Sequence, residues 1–225
     1  MRVAFISDVH SNIYALEAVL DDIGRHGIDQ IIHAGDVVGY CAFPNQTIEL
    51  FRRNRVMSIA GNHDQAAVIA SGMGMNPVAS EAVLWTARNL TPESLQYLKG
   101  LRPHMDMFIG AVRTSVHHGS PRDKKEYIFE EDASPDLLRA CGARLLVLGH
   151  THVPYVKTTH FGTIVNPGSV GQPRDGDPRA SYLICDSTKE PFIPRRVEYD
   201  IDATVASIDH AHLPSFLGER LRGGI

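Results

Sequence analysis

The sequence predicts an α/β protein in which two β-sheets pack face to face with helices outside. Up to about residue 100, short apolar runs alternate with helical patterns in β-α-β-α-β order, as in a parallel or mixed sheet. From about residue 103, short strands recur at turn-separated intervals. No Pro/Gly/Ser-rich linker and no internal repeat separates the halves, so residues 1–225 read as a single domain.

Residues 3–6 form a continuous apolar run, which suits a strand buried on both faces. Ile13, Leu16, Val19, Leu20 and Ile23 fall on one helical face, and the pattern stops near Gly24 and Gly27. Residues 30–34 read as a second strand, 44–54 as a helix and 56–60 as a third strand. A helix is expected over 76–90; Thr91 then caps another, with Pro92 at its first position. Residues 105–109 and 112–116 read as a hairpin turning at Gly110, and Ser134 as the cap of a short helix starting at Pro135. Strands are expected at 145–148, 155–159, 162–165, 181–185 and 195–199. The tail from Ile201 reads as a strand-to-helix ending without chemistry.

Composition excludes several function classes. With 22 Lys and Arg against 26 Asp and Glu, and no basic run, bulk charge gives no support to a nucleic-acid or anionic-membrane binder. No apolar run approaches the roughly 20 residues that span a bilayer. The start lacks the apolar region of a signal peptide. Cys41, Cys141 and Cys185 are far apart and in no CxxC pair, which fits a reducing cytoplasm.

Five polar clusters each follow the carboxyl end of an expected strand, where open α/β sheets bind ligands. They are Asp8-Val9-His10, Gly35-Asp36, Gly61-Asn62-His63-Asp64, His117-His118-Gly119-Ser120 and Gly149-His150-Thr151-His152. Imidazole and carboxylate without thiolate suit first-row divalent metals. In an extended segment, the D-x-H and H-x-H spacings direct both side chains to one side. Any one cluster alone would read as a turn or a hydrogen-bonded core histidine. Five in this order read as a metal centre.

Together these motifs resemble those of the calcineurin-like metallophosphoesterase superfamily, over residues 1 to about 186. The stretches 35–40 and 166–173 are similar to its small prokaryotic phosphodiesterases. The resemblance implies a four-layer αββα sandwich with two mixed sheets and a two-metal centre. It puts Asp8, His10, Asp36 and His152 on one ion, and Asp36, Asn62, His118 and His150 on the other. The fourth motif offers His117 or His118; the family histidine directly precedes glycine, which selects His118. Two divalent cations are expected, Mn²⁺ foremost, with Fe, Zn or Ni as alternatives.

The expected activity is hydrolysis of a small or nucleotide-like phosphodiester by a metal-bridging hydroxide. His63 would stabilise the transition state and protonate the leaving alkoxide. Gly39 and Tyr40 stand where the protein-phosphatase branch carries Asp and Arg, so what orients His63 is open. Arg174 and Arg179 flank a loop and could hold phosphate, and Asn12 could contact substrate or cap a helix. Phosphomonoesterase and dinucleoside-polyphosphate hydrolase are alternative activities, and a protein-binding scaffold is an alternative class. The expected partner is a small phosphoester, with no membrane and no strong nucleic-acid signature; a homo-oligomer is left open.

Overall fold

The computed structural model describes residues 1–186 and 192–225. The chain opens with β1 (Arg2–Ile6), α1 (Ile13–Gly24), β2 (Gln30–His33), α2 (Pro44–Arg53), β3 (Met57–Ser58) and α3 (Asn62–Ile69). Helices α4 (Pro77–Asn89) and α5 (Pro92–Lys99) lead to the hairpin β4 (His104–Ile109) and β5 (Val112–His117). Then come α6 (Pro135–Cys141), β6 (Leu145–Val147), β7 (Tyr155–Thr158), β8 (Thr163–Asn166), β9 (Ala180–Asp186) and β10 (Phe192–Val197). The chain closes on α7 (Ile201–His210) and α8 (Phe216–Gly223).

Two mixed five-stranded sheets result, ordered β10-β9-β1-β2-β3 and β4-β5-β6-β8-β7. The alternation in β1 explains the layering. Val3 and Phe5 enter the core between the sheets, with Ile32, Ile109, Val116, Val147 and Leu183. Ala4 and Ile6 face the other way, into a core with Leu16 and Val19 of α1 and Ile48 and Phe51 of α2. On the far side of the second sheet, Leu146 and Ile164 pack against Leu137 and Leu138 of α6. Burial on both faces is why these strands read as unbroken apolar runs. The arrangement matches the expected αββα sandwich.

The differences are local. β3 shrinks to two residues, extended only by a bridge between Ile59 and Arg102. α3 was not expected, since its eight residues carry no one-sided apolar stripe. β10 starts three residues earlier than the alternation suggested; it runs through Pro194, which an edge strand tolerates. The tail forms two helices rather than a strand and a helix, and it is not remote from the site. Ile208, Leu213, Leu217 and Leu221 cover Tyr40, Cys41, Ala79 and Ala82 beside it. Among the described residues no helix is long and apolar enough to cross a membrane.

Candidate metal centre

The loops after β1, β2, β3, β5 and β6 meet at one place, stitched by their own backbones. Asp8 N–H donates to Gly35 O at 3.0 Å, His10 N–H to Asp36 O at 3.1 Å and Gly149 N–H to His118 O at 2.9 Å. His150 N–H donates to Asp8 Oδ2 at 3.0 Å, joining the two sheets across the site. The D-x-H and H-x-H segments do not converge by being extended, as the spacing suggested. Asp8, His10, Asp36, His150 and His152 have φ between +50° and +68°. Left-handed kinks, each costing of order 1–3 kcal/mol for a non-glycine residue, turn these side chains inward. Gly61 serves close approach: a Cβ there would lie 2.0 Å from Asp36 Oδ1.

Two donor sets share Asp36. In one, His10 Nε2 lies 3.8 Å from Asp8 Oδ1, 3.7 Å from Asp36 Oδ2 and 3.1 Å from His152 Nε2. In the other, His118 Nε2 lies 3.2 Å from Asp36 Oδ2 and 3.0 Å from Asn62 Oδ1, with His150 close by. Donor atoms bound about 2.0–2.2 Å from one ion sit about 3 Å apart, so both sets have the right spacing. All seven expected ligands are therefore brought together. His117 turns away, paired with Ser115 Oγ at 2.9 Å and stacked on His104.

The chemistry of the donors fits a cation. Nδ1 of His10, His118 and His152 faces the carbonyls of Val38, Ala34 and Gln172 at 3.3, 2.8 and 2.6 Å. Those contacts fix the first proton on Nδ1, so that a neutral ring presents Nε2 as a lone pair, as in ligating histidines. His10 and His152 then oppose lone pairs at 3.1 Å. Asp8 and Asp36 are 0% and 1% exposed, without a Lys or Arg partner among the described residues, and Asp8 Oδ1 accepts no hydrogen bond. Burial pushes His10 well below the usual imidazole range and His150 down to about 4, the neutral form a metal requires. His118 goes the other way: burial opposes it, but Asp36 lifts it to about 9. Uncompensated carboxylate charge thus draws a proton where a cation would otherwise act.

His63 lines a cavity of about 210 Å³ that opens on the donor sets. Its ring packs on Tyr40 at 4.5 Å and His10 at 4.8 Å, and its Nδ1 has no hydrogen-bond partner. Among the described residues no carboxylate is hydrogen-bonded to its ring; Gly39 leaves the room it occupies, since a Cβ there would lie 2.6 Å from His63 Nδ1. Burial pushes His63 down to about 4, so the ring is neutral at neutral pH.

The expected substrate contacts divide three ways. Arg174 lines the cavity, with its guanidinium 2.8 Å from Gln172 Oε1 and 3.4 Å from Tyr40 Oη. Arg179 does not line it; Asp177 takes its guanidinium at 2.7 and 3.0 Å. Asn12 is fully buried as the cap of α1, its Oδ1 accepting from Ala15 N–H at 3.2 Å and its Nδ2 donating to Gly171 O at 2.9 Å. Its amide is occupied by these contacts, and it does not line the cavity.

Asp64 was overlooked as a support. Its carboxylate accepts the N–H groups of Asp36, Val38 and Gly61 at 3.0, 3.0 and 2.9 Å, pinning the second and third motifs together. An acidic residue in the first turn of a helix was the signal. Lys125 and Tyr127 also line the cavity from the segment after His118, with no motif to announce them.

Comparison with known proteins agrees with this geometry. The model of the calcineurin-like phosphoesterase superfamily domain matches residues 1–190. The solved metallophosphoesterase from Sphaerobacter thermophilus is 40% identical, covers 100% of this chain and 99% of its own, and superposes with a TM-score of 0.86. An uncharacterized protein of Methanocaldococcus jannaschii is 38% identical over 97% of this chain and 96% of its own. Phosphodiesterase YfcE of Escherichia coli is 26% identical over 83% of this chain and 88% of its own. With its two mixed sheets and Asp/His clusters at the strand ends, the chain belongs to the calcineurin-like phosphoesterase superfamily, a metal-dependent family.

Proposed function

We propose that the protein is a dinuclear metal-dependent phosphodiesterase. The observation that carries this is the sharing of Asp36, whose Oδ2 stands 3.2 Å from His118 Nε2 and 3.7 Å from His10 Nε2. Asp8, His10, Asp36 and His152 would hold one ion; Asp36, Asn62, His118 and His150 would hold the other. Oxygen and nitrogen donors without thiolate suit Mn²⁺, Fe, Zn or Ni, and Mn²⁺ is our choice for best activator. Divalent metal, when bound, supplies Lewis acidity and lowers the pKa of water from about 15.7 to about 7. The free cysteines suit a reducing cytoplasm.

This chain's own residues supply the rest. His63 faces the cavity as a neutral ring with one N–H to donate, and an anionic substrate favours its protonation for delivery to the leaving alkoxide. Arg174, held by Gln172 and Tyr40, offers a guanidinium to a non-bridging phosphoryl oxygen. Tyr40 occupies the place of the phosphatase-branch arginine, which leaves Arg174 and Lys125 as the cations lining the cavity. Its relative YfcE bears the name phosphodiesterase, which supports the same reading.

The test is a paired comparison of aryl phosphodiester and monoester with one leaving group, one metal and one pH. A higher kcat/KM for the diester is expected, with activity lost on chelation. A monoester advantage above about tenfold, or 1.4 kcal/mol, would overturn the diesterase assignment. Activity indifferent to chelation would overturn the metal centre.

A further inference from the structure

The segment between β5 and α6 carries the only pair of exposed aromatic rings that stack on each other among the described residues. Tyr127 is 51% and Phe129 36% exposed, their planes 19° apart with centroids separated by 6.3 Å. Tyr127 also lines the cavity and lies 4.1 Å, centroid to centroid, from the ring of His150. An aromatic wall thus begins at a donor histidine and runs outward to solvent. Lys125 lines the same cavity and, like Arg174, has no carboxylate partner among the described residues. Across the mouth, Lys125 Nζ would stand 3.8 Å from a Cβ on Gly74, next to Met73, which is 86% exposed. Polar donors at the bottom and apolar rings at the rim describe a ligand with a phosphoester at one end and a planar apolar group at the other.

We infer that Tyr127, continued by Phe129, is a stacking platform for the nucleobase of a nucleotide phosphodiester, and so sets substrate preference. The inference rests on the phosphodiesterase reading and narrows it to a substrate class. Exposed aromatic faces are costly in water, and a base laid on one contributes enough to be seen in rates. The platform is tolerant of base identity, because every base offers a π-face.

The experiment compares thymidine 5′-(p-nitrophenyl) phosphate with methyl p-nitrophenyl phosphate on the metal-reconstituted protein. The two share a leaving group and differ in the base-bearing arm. Wild type should prefer the thymidine ester at least tenfold in kcat/KM. Tyr127→Ala should reduce that preference at least fivefold, and Tyr127→Phe should keep it. An equal loss on both esters in Tyr127→Ala would show that the ring merely supports His150, and the inference falls. A second readout is calorimetric binding of AMP against ribose 5-phosphate to the same proteins. If neither diester is hydrolysed, yet AMP binds at least fivefold tighter and Tyr127→Ala erases the difference, the platform stands and the diesterase reading fails. Equal binding of the two ligands to wild type overturns the platform whatever the rates.

Discussion

Replacing His63 by Ala separates the chemistry of the site from its metal binding. Among the described residues the ring donates to no neighbour: its Nδ1 is unpartnered, and its backbone N–H, which an alanine retains, donates to Asp36 Oδ1 at 2.8 Å. Metal content should therefore survive. Loss of the proton donor should lower kcat by about 10²–10⁴, or about 2.7–5.4 kcal/mol at 1.36 kcal/mol per decade. The ring is 4% exposed and packs on Tyr40 and His10, but it borders an open cavity and leaves no hydrogen-bond partner stranded. The cost in stability should be about 1–2 kcal/mol, below the range for deleting a core aromatic. For a chain of this length that is a fall in Tm of about 2–8 °C. The assay is metal content by mass spectrometry after Mn²⁺ reconstitution, beside kcat on an aryl diester and a melting curve. Asp36→Asn is the reference and should lose both metal and activity. Donor atoms of His63, His10 and Asp36 lie within 4.8 Å of one another, close enough for His63 to join them as a ligand. Metal loss in His63→Ala equal to that in Asp36→Asn would make His63 a ligand and refute the role given to it.

Asp64→Ala strands three buried N–H groups, so it should cost at least about 3 kcal/mol and lower metal affinity by loosening Asp36; urea melts and metal titration measure both. Asp22 accepts from Tyr182 Oη at 2.7 Å and from Arg195 at 3.1 Å; burial alone would raise its carboxyl, but these partners hold it below the usual range. Its contribution is therefore present above an unfolded pKa of about 3.9 and lost as pH falls through the folded value. Asp22→Asn should cost about 1.5–3 kcal/mol at pH 7, with the gap closing below about pH 4; a gap independent of pH in urea melts would contradict this. Burial pushes the Cys41 thiol up to about 12, so iodoacetamide at pH 8 should label it only in denaturant, which peptide mass mapping will show.

Sequence alone carried the reasoning a long way where residue type and position are both chemically demanding. One histidine or aspartate after an apolar strand is an ordinary turn or core residue, but five such clusters in this order were legible as a centre from the sequence. The means of convergence was not legible, because φ is invisible in residue types other than glycine and proline; the kinks at Asp8 and His150 come from the backbone bonds around them. Arg174 and Arg179 looked alike in sequence, and only the neighbouring Asp177 distinguishes them. Asn12 fits a cap and a substrate contact equally by type, and its burial decides. α3 was hidden because its start lies inside a motif read for chemistry, and the tail because an amphipathic helix does not state which surface it covers.

The left-handed backbone at Asp8, His10, Asp36, His150 and His152 makes this centre a liability to the rest of the chain. Glycine is at ease where those five side chains are strained. A lineage released from hydrolysis would drift towards glycine at the three histidines, relieving strain as it abandons its metal, while Asp8 and Asp36, which accept the His150 and His63 N–H groups, would persist with the αββα scaffold. The same gradient faces anyone selecting heat-resistant variants without an activity screen: the first improvements found would be inactive ones. Stabilising substitutions should instead be sought on the outer helices, where folding and turnover do not compete.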